Sequence, residues 1–471
     1  MRRDTHRLVG FALTPVHVGD GTVMTPEGYR FANGMLERFD PPAVIASMSD
    51  GVREQFTKAL RSHDALKAGQ KLIRNHVRDE HIRERIVVSP HSTRELEQVI
   101  EESGRKGEVR PFVRSGTGPY LPGSSLKGAL RTAWLAAEAG RNPALMREIN
   151  AKADGERPGK TGRVSNDLAQ RAFEAEAGKT ERDPLRDVSV SDALMLSGVT
   201  VIDRVQVANL GAKGGIAFGP ETKMQIHVER LASLADRGAY PPSRFAIALS
   251  LPSEEGLQAR RQRAGERSDG PRRALPRRSP TYVALRRAAN EHHAALFAYE
   301  RRRFYAGTGA DATLDALLAA FGLAGSDLLA ALEAKDAWLL KIGRYGHFES
   351  KSVAGLRHGE KRGTKASSAR HMTEGGSRTV ATDASGSPLP FGWILLLPED
   401  KAPAEAPRLP AAARGGAGPG RPVPAALLAL APRPLQVRRR ASSSARATKS
   451  RMATRLGLSG RTSDRTRCRC W

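Results

Sequence analysis

Ser124, Ser125, Lys127 and Arg131 stand in the run Tyr120-Leu121-Pro122-Gly123-Ser124-Ser125-Leu126-Lys127-Gly128-Ala129-Leu130-Arg131-Thr132-Ala133-Trp134, and their spacing suits the binding of an anion. Pro122 fixes its own φ and Gly123 is free to take a positive one, so a sharp turn is expected, with Ser124 or Ser125 capping the helix that follows. At about 3.6 residues per turn, Leu126, Leu130, Ala133, Trp134 and Ala137 fall on one apolar stripe, with Ser124, Lys127, Gly128 and Arg131 on the other side. Free N–H groups at a helix start, the helix dipole and two cations all favour a phosphate. The pattern also describes a plain capped amphipathic helix with a solvated basic face. The G-x-x-x-x-G-K-[ST] spacing of a nucleotide-triphosphate loop is not met.

A second candidate is His17, in Thr14-Pro15-Val16-His17-Val18-Gly19, placed at a strand end before the Gly19-Asp20-Gly21 turn. A histidine there can serve as general base on a ribose 2′-hydroxyl, or it can be a hydrogen-bonded structural residue beside a sheet. Asp20 suits a turn that favours Asp for local hydrogen bonding. The third candidate is Lys341-Ile342-Gly343-Arg344-Tyr345-Gly346-His347-Phe348-Glu349-Ser350-Lys351, followed by Ser377-Arg378-Thr379 and Pro390-Phe391-Gly392-Trp393. Here glycines, cations and aromatics alternate, a mixture by which backbone N–H groups and Lys or Arg grip phosphates while rings stack on bases. His347 and Glu349 are two apart and face each other poorly on a helix, which favours structural roles. His76, His81 and the pair His292-His293 have no acidic or Cys partner at metal spacing, so no metal site and no cofactor are expected.

The elements that must position these residues sit in a strongly basic chain. Its 471 residues carry a formal charge of +26, which attracts polyanions, nucleic acid first among them. Residues 401–471 hold 16 Lys and Arg against two acidic residues, so the remainder is basic without this tail. Only Cys468 and Cys470 occur, which leaves the body no disulfide framework and suits a reducing cytosol. With neither an apolar signal core nor an 18-residue apolar run, a soluble cytoplasmic protein without membrane contact is expected.

Along the chain, residues 7–18 read as a strand bent at Pro15, 41–88 as mostly helical, 93–103 as a short helix and 109–114 as extended. The polar stretch 141–190 suggests an inserted loop or helical projection. Strands are expected at 199–210, 223–231 and 245–251, with a flexible basic turn at 211–215 between the first two. Residues 258–280 read as a mobile basic loop, 281–305 and 312–336 as helices, and 391–397 as a strand. From about 401 the Ala/Arg/Pro/Gly/Ser composition points to disorder, either a basic arm on RNA or an end without selected function.

The Thr14–Gly19 motif, the Tyr120–Trp134 run after a helical insertion and the late Gly-rich segment with Pro390-Phe391-Gly392-Trp393 together resemble the RAMP superfamily of CRISPR proteins over roughly residues 6–397. Within it, the resemblance is strongest to the terminal backbone subunit of type III-A (Csm) effectors, which caps the filament near the guide 3′ end. The resemblance implies an α+β fold, a modified RRM or ferredoxin-like antiparallel sheet with helices and large insertions. It implies a core at 1–257 with insertions at about 41–105 and 141–190, the basic loop 258–280, a helical and Gly-rich part at 281–400 and the tail 401–471. It further implies that Ser124, Ser125, Lys127 and Arg131 touch the guide backbone or shape the loop that does, with His17, Lys341, Arg344, Lys351 and Arg378 as further RNA contacts and no catalytic residue. The implied partners are guide RNA, target RNA, the repeated backbone subunit and the small subunit. Two alternatives stand beside this: an endoribonuclease of the same superfamily using His17 or Asp20, and a basic protein bound to ribosomal or messenger RNA.

Overall fold

The computed structural model describes residues 2–61, 64–103, 107–155, 161–173, 183–211, 214–218, 226–266, 279–325, 327–357, 359–361, 370–382 and 388–409. Among these, an antiparallel sheet runs in the order Trp338–Lys341, Trp393–Pro398, Arg3–Ala12, Arg244–Pro252, Ala193–Ser197, Gly118–Leu121, Arg114–Ser115, with Ser189–Val190 also on Arg244–Pro252. Arg3–Ala12 is central, pairing Leu8 with Ile247 on one side and Gly10 with Leu396 on the other. A second sheet is built around Thr200–Leu210, which pairs antiparallel with Ile226–Leu231 and Ser377–Thr382 and parallel with Ile82–Val88.

Period-two alternation explains how the first sheet is sandwiched. Leu8, Ala12, Phe245, Ile247, Ile394 and Leu396 belong to a cluster shared with Leu126, Leu130, Ala133 and Trp134 of the Gly123–Gly140 helix and Leu285, Ala288 and Ala289 of the Tyr282–Glu300 helix. Val9, Phe11, Leu13, Leu395 and Leu397 belong to another cluster, with Val205, Ala208, Val228 and Val380 of the second sheet and Leu314, Leu317 and Leu318 of the Ala310–Ala319 helix. The result is a mixed α+β fold resembling a ferredoxin-like RRM core with helical insertions.

Several local expectations are corrected. The first strand ends at Ala12, before Pro15, because Leu13 and Thr14 turn their N–H groups to the Trp393 carbonyl and Gly392 donates to the Pro15 carbonyl. Residues 82–88 form a strand rather than continuing the helices Pro41–Ser47, Asp50–Ala59 and Ala65–Asn75, as β-branched Ile82, Ile86, Val87 and Val88 favour. Glu254–Glu266 is helical, so the basic stretch from 258 is not all loop; 267–278 lie outside the described residues. Ala402, Ala406 and Leu409 pack against the core, so burial replaces the expected disorder at the start of the tail; 410–471, with both cysteines, lie outside the described residues. No helix among the described residues is long and apolar enough to cross a membrane.

Candidate nucleic-acid interface

The Gly123–Gly140 helix has the apolar stripe its spacing foretells, but its start is built differently. Pro122 is the cap, with no side-chain cap bond, and Gly123 does not take a positive φ. Gly123 is needed for close approach: a Cβ there would collide with the carbonyls of Val190 and Ser191. Its N–H donates to Asp192 Oδ1 at 2.8 Å, so an internal carboxylate already takes part of the positive end of this helix. Ser124 is exposed; Ser125, Lys127 and Arg131 are half-buried. Arg131 is engaged within the chain, in an ion pair with Asp183 and over the Phe173 ring at 4.9 Å from its centroid, whereas Lys127 has no carboxylate partner among the described residues.

The late Gly-rich block divides into two groups. Lys341 and Arg378 are buried, 2% and 0% exposed, and face acids rather than solvent. Lys341 pairs with Glu300; Arg378 lies 3.6 Å from Glu300 and 3.1 Å from Glu349, with its guanidinium carbon 3.4 Å from the Phe304 ring centroid. Burial pushes the Lys341 pKa down, against the pull of Glu300. For Glu349, burial is outweighed by Arg378 and the Gly375 N–H, which hold its carboxyl below the usual range. Both expected phosphate contacts are thus internal charges, because their strands run through the core. His347 is likewise structural: it accepts the Thr379 N–H at Nε2, 3.0 Å away, and burial lowers its pKa to about 3.

Arg344 and Lys351 are outward-facing. Arg344 is exposed, and its backbone N–H donates to the His17 carbonyl at 2.9 Å. Lys351 ends the Phe348–Lys351 turn; desolvation pushes its ammonium down, with Arg344 adding to the effect. Arg110, at the end of the short Val109–Arg110 strand, joins them: the charges of Arg344 and Arg110 both act on His17 and on Tyr345. Among the described residues none of these three cations has a carboxylate partner within ion-pair distance. The Gly123–Gly140 helix packs against the Phe348–Lys351 turn, so the two motifs that are far apart in sequence meet in space. Arg110 was missed in the sequence because a lone arginine in a short extended run has no distinctive spacing; its pairing register beside Val228 brings it here.

His17 is 1% exposed, its ring stacked on Tyr345 with centroids 5.7 Å apart. Burial, opposed by its bond to the Glu229 carbonyl, lowers its pKa to about 4. Asp20 is exposed and accepts from the Thr22 N–H at 2.8 Å and hydroxyl at 2.7 Å, a local turn bond. No group of three or more His, Cys, Asp or Glu among the described residues is placed to hold a metal.

Fold and site together define an RRM-like α+β protein in which cations without a carboxylate partner among the described residues gather where the segment after the first strand meets a glycine-rich loop. The RAMP superfamily model matches residues 12–223. The chain is similar in fold to one in a cryo-EM structure of a Csm–crRNA–target RNA ternary complex of a type III-A CRISPR–Cas system, with TM-score 0.50 and 16% identity over 83% of this chain and 100% of the other. It is also similar to T. onnurineus Csm5 in its crystal structure, with TM-score 0.46 and 16% identity over 82% and 99% of the two chains. No curated protein is matched by sequence.

Proposed function

We propose that this chain is a non-catalytic guide-RNA-binding and assembly subunit of a type III-A CRISPR effector, capping the backbone filament near the guide 3′ end, with target RNA, the repeated backbone subunit and the small subunit as its partners. The observation that carries the RNA reading is the cluster of Arg110, Arg344 and Lys351, without acidic partners among the described residues, with the Phe348–Lys351 turn set against the helix bearing Ser124 and Lys127. Cations left without a carboxylate partner, on a chain with a formal charge of +26, are suited to phosphates. The match of the superfamily model supports the CRISPR assignment, as does the fold likeness to a chain of a complex whose description names crRNA and target RNA.

Single-stranded RNA binding measured across salt concentrations tests the reading. Arg110→Ala and Lys351→Ala should each lower the salt slope by about 0.7, the value per phosphate contact on a single strand. Unchanged slopes in both variants would remove these residues from the interface. The assembly role is tested by co-expression with the other effector subunits and a repeat array: short guide RNAs should co-purify, and ribosomal or messenger RNA in their place would overturn it. Incubation with guide and target RNA should give no cleavage that His17→Ala or Asp20→Ala abolishes; cleavage lost in either variant would establish the nuclease alternative.

A further inference from the structure

His17 has the chemistry of a base or a phosphate ligand and the surroundings of neither. Its Nδ1 lies 2.6 Å from the Glu229 carbonyl, which can only accept, so the proton sits on Nδ1. Among the described residues Nε2 has no hydrogen-bond partner, and a Cβ added to Gly19 would come within 3.1 Å of it. This nitrogen is buried, in a side chain that is 1% exposed.

What His17 does hold is the loop carrying Arg344. Its carbonyl accepts the Arg344 N–H. Its ring stacks on Tyr345, which packs in turn on Phe391 at 5.0 Å. Gly343, at φ 89°, is seated so closely that a Cβ would stand 2.7 Å from the His17 carbonyl oxygen. Residue 17 thus touches three consecutive loop residues, and the middle one is the exposed cation. The ring is tied to a different strand through Glu229, so it fixes the loop relative to the sheet and to Arg110, whose strand pairs with the same Ile226–Leu231 strand.

Resting on the RNA-contact reading above, we propose that His17 is a positioning residue: it never touches RNA, and it sets the Gly343–Tyr345 backbone so that the Arg344 guanidinium stands beside Arg110 to receive a phosphodiester. Its contribution to binding passes through Arg344 and through no other cation.

A double-mutant cycle on binding of a fluorescently labelled single-stranded RNA across salt concentrations tests this. Arg344→Ala is expected to lower the salt slope by about 0.7. His17→Ala should weaken binding and lower the slope to the same degree, and the double variant should bind no worse than Arg344→Ala alone. Combined with Lys127→Ala, the His17→Ala loss should add in full. Gly343→Ala keeps the His17 side chain and acts on the loop through its backbone, so it repeats the test without removing a buried ring; it should reproduce the slope loss and the non-additivity with Arg344→Ala. Full additivity of His17→Ala with Arg344→Ala, or wild-type binding by Gly343→Ala, overturns the positioning role while leaving the interface intact. An unchanged slope in Arg344→Ala itself would instead remove the reading on which the role rests.

Discussion

Lys341 and Arg378 differ from Arg344 and Lys351 in what surrounds them rather than in what they are. Lys341 pairs with Glu300, and Arg378 lies between Glu300 and Glu349, a set of two cations and two anions sealed from water. A buried pair of this kind adds little net stability, yet breaking it strands a charge. Lys341→Met should therefore lower stability by about 3 to 5 kcal/mol, and Lys341→Met with Glu300→Gln should recover much of it, measured by denaturant unfolding. A small loss in the single variant would mean that Arg378, 3.6 Å away, is enough to hold the Glu300 charge. Arg131 obeys the same logic closer to the surface. Because Asp183 and Phe173 hold it, Arg131→Ala should leave the RNA salt slope unchanged, whereas Lys127→Ala should lower it by about 0.7. A lowered slope in Arg131→Ala would mean that it leaves Asp183 for a phosphate.

At the scale of elements, the close approaches are made by glycines. Gly10 on the central strand lies flat beneath the Phe245 ring of its neighbour, leaving no room for a Cβ. Gly10→Ala should destabilise the protein by about 1 to 3 kcal/mol through overpacking, with Gly10→Ala/Phe245→Leu milder, as thermal unfolding would show. Equal loss in both variants would place the strain elsewhere. Such glycines also explain how far the site could be read from sequence. The stripe Leu126, Leu130, Ala133 and Trp134 was legible because helix periodicity is local, and the strand around Trp393 because its apolar run is continuous. Gly123 was legible as a special residue but not for the right reason, since the carbonyls it accommodates lie nearly 70 residues away. The same limit hid the division of the late basic block. Whether a lysine faces a phosphate or Glu300 depends on which helix the fold packs against its strand, and no local spacing carries that.

Across the described residues, buried and half-buried histidines recur in loops, a strand and a helix. Burial lowers His17, His227 and His292 to about 4 and His347 to about 3, and pushes His293 well below its ordinary value. In the unfolded chain these rings take up a proton near pH 6.5, so below that pH the unfolded state binds more protons than the folded state. Their contribution to stability is full above pH 6.5 and declines as the pH falls toward 4, each ring contributing up to about 1.4 kcal/mol per pH unit. Glu27, Glu37, Glu349, Asp311 and Asp336 are held below their ordinary values and act in the same direction, but only below about pH 4.5. The two sets separate by pH window. Between pH 6.5 and 5 the loss belongs to the histidines, and His292→Phe or His227→Leu, which remove a proton site without placing a new charge, should flatten the slope of unfolding free energy against pH there. Denaturant titrations at closely spaced pH values measure that slope. A wild-type slope near zero down to pH 5 would mean that the rings are already open to protons in the folded protein, and that the packing around them is looser than their burial indicates.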